Sequence, residues 1–301
     1  MILIVGPTAS GKTELALALA QELSGEIVSA DSRRMYRELS AGTAKPAPGK
    51  IPIHLIDCAG ISERFDAGRY AAAARTAVRD IESRGKTALV VGGTGLYIRA
   101  LTEGLCDLPQ RSEALRRRLE DEAATLGRSR LHERLGQLDP EAAARIPSNN
   151  IQRLVRALEV IELTGRPITE LWKEAPAEKL PAASAFMIDW PSEELRQRIR
   201  SRAEIMWPAM LQEVRTLLND FTGREPGFQS LGYPEAVACV RGESSLEEGL
   251  LKMIQATHAY AKRQRTWFRH QIQTTPISGA KTEDMLRQIS SSLNLHASIA
   301  S

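Results

Sequence analysis

The residues best suited to chemistry stand at the start of the chain, where Gly6-Pro7-Thr8-Ala9-Ser10-Gly11-Lys12-Thr13 fits the pattern G-x-x-x-x-G-K-[ST]. The glycines let the backbone wrap so that successive N–H groups point inward. A following helix adds the partial positive charge of its N-terminus, and Lys12 supplies a full one. Such a cradle suits a diphosphate or triphosphate, with Gly6, Thr8, Ala9, Ser10, Gly11, Lys12 and Thr13 as contacts and Thr13 placed to ligate Mg²⁺. A chance match somewhere in a chain of this size is about one in a hundred. The loop announces phosphate, not its fate, and it serves a small-molecule kinase equally well.

In open parallel sheets the reacting groups gather beyond the carboxyl ends of the strands, so the residues just after each predicted strand come next. Ser29-Ala30-Asp31-Ser32-Arg33-Arg34-Met35-Tyr36 puts one carboxylate beside hydroxyls and two guanidiniums. Asp31 there suits a general base or the holder of a magnesium-bound water, and equally a helix N-cap. Asp57, after His54-Leu55-Ile56, reads as a Walker-B-like acid or as a turn residue. Gly92-Gly93-Thr94-Gly95-Leu96-Tyr97 is a flexible turn carrying a hydroxyl, suited either to a substrate or phosphate contact or simply to a tight strand-to-helix connection. Gly42-Thr43-Ala44-Lys45-Pro46 offers a lysine on a loop that can close over the same place.

These segments need a scaffold. Short β-branched runs at 2–5, 27–30, 53–56 and 88–91 alternate with helical stretches at 12–23 and 67–84, the pattern of a parallel sheet covered by helices. From about residue 108 the period becomes helical throughout, at 113–126, 128–138, 150–163 and 167–174. Residues 185–189 read as a strand again and are assigned to the first sheet. Helices follow at 192–206, 209–219 and 245–269, then a short apolar segment near Thr275 and a polar tail that frays from Ser290. The expected architecture is α/β: a P-loop NTPase-like parallel sheet flanked by helices, in a discontinuous core of residues 1–108 and 184–301, with an all-helical insertion at 109–183.

The bulk properties bound the partners. The chain has 301 residues, 43% hydrophobic and 26% charged, with a formal net charge of +3, so nucleic-acid affinity has to come from where the basic side chains sit. The clearest basic stretch, 252–270, holds Lys252, Lys262, Arg263, Arg265 and Arg269 without an acid, interleaved with Tyr260, Trp267 and Phe268. Those aromatics read as core rather than as stacking platforms. Cys58, Cys106 and Cys239 form no CxxC pair, which fits a reducing cytoplasm. His54, His132, His258, His270 and His296 are scattered, so no protein-held transition metal is expected. Neither a signal peptide nor a membrane span is expected.

Taken together the segments resemble the tRNA dimethylallyltransferase (tRNA isopentenyltransferase) family nearly end to end. The resemblance rests on the loop at 6–13, Asp31-Ser32 with Tyr36, Gly42-Thr43-Ala44-Lys45-Pro46, His54-Leu55-Ile56-Asp57 and Gly92-Gly93-Thr94-Gly95-Leu96-Tyr97. It continues through Asp139-Pro140-Glu141, Gln152-Arg153-Leu154-Val155-Arg156-Ala157-Leu158-Glu159, Gly232-Tyr233 and Lys262-Arg263-Gln264. The resemblance implies transfer of a dimethylallyl group from dimethylallyl diphosphate to N6 of adenosine 37, beside the tRNA anticodon, with Mg²⁺ and release of diphosphate.

By the same resemblance Asp31, Thr94 and Lys12 are the catalytic residues, the loop at 6–13 binds the donor, and Asp31, Ser32, Arg33, Arg34, Thr94, Arg116, Gln152, Arg153 and Arg156 meet the anticodon stem-loop. From the residues alone, the arginines of the insertion read as a solvated face. Arg34 stands where many members have glutamine, and Pro147-Ser148 replaces a more usual His-Pro. Lacking the zinc-finger extension of eukaryotic relatives, the chain is expected to be a bacterial-type cytoplasmic monomer. A P-loop kinase, and a prenyltransferase acting on free adenylate, are the competing readings.

Overall fold

The computed structural model describes residues 1–47, 49–174, 178–279 and 281–293. Its strands are β1 (Ile2–Val5), β2 (Glu26–Ser29), β3 (Ile53–His54), β4 (Ala88–Gly92), β5 (Ser184–Ile188) and β6 (Thr275–Ile277). Its helices are α1 (Lys12–Glu22), α2 (Ala67–Ser83), α3 (Gly95–Thr102), α4 (Glu113–Leu126), α5 (Arg128–Leu138) and α6 (Pro140–Arg145). They continue as α7 (Ile151–Thr164), α8 (Ile168–Lys173), α9 (Ser192–Leu217), α10 (Tyr233–Val240), α11 (Leu246–Gln271) and α12 (Thr282–Ser292). The chain divides into two compact units, Met1–Thr102 with Leu180–Ser301, and Glu103–Lys179, a few residues before the boundaries expected at 109 and 183.

The first unit is built on one parallel sheet in the order β3-β2-β4-β1-β5-β6. Every residue of β1 and β4 is buried, which is why both read as unbroken apolar runs rather than as alternating strands. Ile4, Leu15, Leu19, Leu89, Phe186 and Ile188 share one cluster, so α1 is clamped to the strand it follows. This is the P-loop-like α/β class expected. The strand after the insertion, β5, pairs with β1 from Ile2↔Ser184 to Val5↔Met187 and lies in this sheet, as its sequence implied.

Three local expectations change. The helices expected at 192–206 and 209–219 are one helix, α9, running through Pro208. A proline inside a helix costs about 3 kcal/mol. The stripe of Leu195, Ile199, Ala203, Trp207, Met210, Leu211 and Val214 is buried on both sides of it, and that packing outweighs the lost hydrogen bond. The strand expected at 53–56 ends at His54, because Leu55 and Asp57 take positive φ angles of 59° and 54°. The polar tail is in part α12, whose Met285, Leu286 and Ile289 are buried beside α1. Ser290 to Ser292 close that helix with Leu293 as its cap, and residues 294–301, with His296, lie outside the described residues.

The second unit is all helical around Leu119, Leu131, Leu135, Leu154, Leu158 and Ile168. Its Asp139-Pro140 element starts α6 and joins it to α8. The buried Asp139 carboxylate accepts the Ala142 N–H at 2.9 Å and the Thr169 N–H at 2.9 Å. Ser112 and Asn150 cap α4 and α7 in the same way.

Candidate active site

The P-loop leaves β1 at Gly6, whose φ of 151° and lack of a side chain both matter, since a Cβ there would stand 2.9 Å from the Ile188 carbonyl oxygen. The loop closes on Gly11, left-handed at φ 90°, and Ala9 is held at φ 63°. Its outer carbonyls are occupied: Trp190 Nε1 donates to Ser10 O at 2.9 Å and Arg198 Nε to Ala9 O at 2.9 Å. What the loop can still offer a ligand is the first-turn N–H groups of α1, which have no intrahelical partner. Lys12 Nζ reaches back to Pro7 O at 2.5 Å and Ser10 Oγ at 3.5 Å, inside the curl.

A cavity of about 590 Å³ opens on this loop, lined by Thr8 to Glu14, by Asp31, Arg33 and Arg34 beyond β2, and by Gly92 and Gly93 at the end of β4. The loop at Ala44 to Ala47 and the side chains of Arg198, Arg202, Tyr260 and Gln264 also line it. Lys12, Arg33, Arg34, Arg198 and Arg202 line it with two acids, Asp31 and Glu14, while the Lys45 ammonium in the same wall is paired with Asp57. The excess suits a polyanion.

The same crowding sets the protonation states. Burial lowers the Lys12 ammonium to about 7, with Arg34 and Arg202 pushing the same way against Asp31 and Glu14. Burial also lowers Arg202. For Asp31 burial pushes upward, but Arg34, Arg33, the Arg33 N–H and Lys12 together outweigh it and hold the carboxyl below its ordinary value. Asp31 is thus an ionised acceptor, its Oδ1 taking the Arg33 N–H at 3.0 Å. The Arg33 guanidinium lies 4.2 Å from the centre of the Tyr260 ring, giving the cavity an aromatic wall.

Of the residues expected at the site, Thr8 to Thr13, Asp31, Arg33 and Arg34 line the cavity, whereas Gly6, Ser32 and Thr94 do not. Thr94 Oγ1 accepts the Ser32 N–H at 3.0 Å and donates to Ser32 Oγ at 3.2 Å, so it fixes the turn that carries Asp31. The Oγ1 of Thr13, the residue expected to ligate Mg²⁺, accepts from Arg34 Nη2 at 3.0 Å. Asp57 sits in a turn and pairs with Lys45 at 2.5 Å, outside the cavity wall, which favours the turn reading over a Walker-B-like one.

Arg198, Arg202 and Gln264 are among the wall residues given no role from the sequence. Arg198 and Arg202 stand four apart on α9, a spacing visible in the helix expected at 192–206 but indistinguishable there from a solvated face. Gln264, part of the Lys-Arg-Gln element, is buried and ties the loops after β1 and β4 together. Elsewhere on α11 the basic residues are partly committed, Arg265 and Arg269 to Asp189 and Lys252 to Glu248. Phe268 is core and Trp267 packs on Gly95, while Tyr260 faces the cavity.

In the helical unit, Gln152 and Arg153 are exposed on α7. Arg116 is only 8% exposed and pairs with Glu159 at 3.4 Å and Glu120 at 3.7 Å. Arg156 pairs with the same Glu159 at 2.8 Å and donates to Pro109 O at 2.9 Å. Arg116 and Arg156, two of the arginines expected at the RNA, thus both pair with the fully buried Glu159. No helix among the described residues is long and apolar enough to cross a membrane. Nor do three or more His, Cys, Asp or Glu side chains cluster as a metal site among them.

Fold and site together define a P-loop α/β protein with a cationic cavity fit for a diphosphate. Residues 34–271 match the family described as IPP transferase, and the chain belongs to that family. It is 46% identical over 275 residues, 90% of this chain and 92% of the relative, to a tRNA dimethylallyltransferase of Anaeromyxobacter sp. strain Fw109-5. A tRNA delta(2)-isopentenylpyrophosphate transferase from Staphylococcus epidermidis has a similar crystal structure, with a TM-score of 0.69, 31% identity and 98% of each chain covered. A eukaryotic dimethylallyltransferase acting on tRNA gives a TM-score of 0.82 at 25% identity, covering 99% of this chain and 79% of the other.

Proposed function

We propose that the protein is a tRNA dimethylallyltransferase, transferring the dimethylallyl group of dimethylallyl diphosphate to N6 of adenosine 37 beside the anticodon. The observation that carries this reading is the cavity on the P-loop, where Lys12, Arg33, Arg34, Arg198 and Arg202 outnumber the acids Asp31 and Glu14, in a chain of the IPP transferase family. The allylic C–O bond breaks and its electron pair leaves on the diphosphate. Oriented N–H groups of the loop, Lys12 and the arginines stabilise that charge as it forms. The N6 lone pair forms the new C–N bond, and Asp31 accepts the proton that the nitrogen sheds. Because Asp31 stays ionised, its contribution grows as positive charge develops on nitrogen. Thr94 positions Asp31 through Ser32. The adenine has to leave its stack to reach this depth.

Gln152 and Arg153 are the exposed side chains of the helical unit assigned to the anticodon stem-loop, with Arg33 meeting the flipped base and Arg34 turned to the P-loop. The enzyme acts in the cytoplasm as a monomer. Divalent cations generally accompany prenyl diphosphates in such transferases, and Mg²⁺ is the ion expected here. The donor set does not fit a protein-held Mg²⁺, since Thr13 Oγ1 already accepts from Arg34 Nη2 at 3.0 Å. An ion bonded to that oxygen at about 2.1 Å would lie within about 5 Å of the guanidinium nitrogen, a repulsion of at least about 6 kcal/mol at an effective dielectric near 20. No step is therefore routed through the ion.

The test is an incubation of purified protein with labelled dimethylallyl diphosphate and an unmodified anticodon stem-loop, without ATP, followed by nucleoside analysis. N6-isopentenyladenosine at position 37 is the expected product. Absence of product, or ADP formation dependent on a small acceptor when ATP is supplied, would replace this reading with the kinase one.

A further inference from the structure

We infer that Arg34 supplies, at Thr13, the positive charge a P-loop ordinarily takes from a divalent cation, so that the free enzyme binds the diphosphate group without metal. This rests on the diphosphate reading of the cavity. In a P-loop the hydroxyl after the lysine normally bonds Mg²⁺, which bridges the phosphate oxygens. Here Arg34 Nη2 donates to that hydroxyl at 3.0 Å and to Ala44 O at 2.9 Å. Its Nε adds a longer bond to Thr43 O at 3.4 Å.

The guanidinium is thus fixed between the first turn of α1 and the loop that forms another wall of the same cavity. A planar cation presents several N–H donors in a fork, so nitrogen not used by Thr13 and Ala44 remains for phosphate oxygens. Its charge is felt throughout the site: it lowers Lys12, lowers Arg202 and helps hold Asp31 ionised. With Lys12, Arg198 and Arg202 on the same wall, the chain carries enough positive charge to neutralise a diphosphate by itself. The same side chain ties the loop at Thr43 and Ala44 to the first turn of α1.

Calorimetric titration of the full chain with inorganic diphosphate, in excess EDTA and then in millimolar Mg²⁺, tests this. The wild type should bind with Kd values within about threefold of each other in the two media. Arg34→Gln, checked for an unchanged melting temperature, should bind at least tenfold more weakly in EDTA and regain affinity when Mg²⁺ is added. A wild-type Kd that rises tenfold or more in EDTA would overturn the inference while leaving the diphosphate site intact, and so would Arg34→Gln binding like wild type in EDTA. Failure to bind diphosphate in either medium would instead sink the site assignment itself. The wild-type comparison stands even if the variant does not fold.

Discussion

The side-chain amide of Gln264 accepts the backbone N–H of Thr8 at 2.9 Å, a contact that spans 256 residues of sequence. Its other end donates to Gly93 O at 2.8 Å, so one residue of α11 sets the distance between the loops that follow β1 and β4. Space at Gly93 is tight enough that a Cβ there would lie 2.2 Å from the same amide nitrogen. Gln264→Glu keeps the acceptor for Thr8, loses the donor to Gly93 and sets a negative charge beside the diphosphate cradle. The expected result is a rise of about tenfold or more in KM for the donor, with a smaller change in KM for the RNA. Steady-state kinetics with each substrate varied in turn measures it, and an unchanged donor KM would show that the bridge has no part in shaping the cradle.

Lys12 gives the site a pH signature. Its ammonium is lowered by burial to about 7, so in the free enzyme it is half protonated near neutrality. An anion prefers the protonated form. Below pH 7 donor affinity should therefore be insensitive to this group, and above it affinity should fall toward a limit of about tenfold per pH unit as binding has to recharge the amine. Titrations in buffers of different ionisation enthalpy should detect proton uptake above pH 7. Lys12→Arg, charged throughout, should flatten the profile and so subtract the ligand's own titration. Equal profiles for the two proteins would place the ionisation elsewhere.

Asp31 and Thr94 should separate kinetically. Asp31→Asn preserves an acceptor for the Arg33 N–H but removes the charge, so single-turnover transfer should slow by about a hundredfold, while diphosphate binding holds or tightens. Thr94→Val loses the bonds to Ser32 and the one to the Tyr260 hydroxyl in the cavity wall, and should cost less, about tenfold, by loosening the turn that aims Asp31. If Thr94→Val proved as damaging as Asp31→Asn and the two together no worse, the hydroxyl would have to meet substrate directly.

How much of this was legible in the sequence follows from the range of the signals. The P-loop, the parallel strands and the helices at 113–126 and 128–138 could be read because glycine spacing and apolar periodicity are local. The second cationic wall was not. Arg198 and Arg202 look like a solvent face until α9 is seen to cross the P-loop, and Gln264 carries no charge to flag it. Pro208 misled because local propensity breaks a helix there, whereas buried Trp207, Met210 and Leu211 hold it together. The Thr13–Arg34 contact joins segments 21 residues apart through a loop conformation that includes Ala44 at a φ of 45°, which no spacing rule anticipates.

The family resemblance implies RNA contact for both Arg116 and Arg153, yet their surroundings predict opposite phenotypes. Arg116→Ala strips one partner from Glu159, which is fully buried. Stranding such a charge completely costs about 3–5 kcal/mol. Because Arg156 at 2.8 Å and the Ser112 N–H at 2.7 Å remain, the loss should be smaller, roughly 2 kcal/mol, and should appear in thermal or urea unfolding. The salt dependence of tRNA binding should not change. Arg153→Ala should leave stability untouched, since that side chain is exposed and has only backbone capping contacts nearby. It should weaken tRNA binding at low salt and reduce the slope of log K against log salt by about one phosphate contact. A reversed pair of results, with Arg116→Ala flattening the salt slope at wild-type stability, would mean that Glu159 releases its arginine to the nucleic acid when the complex forms.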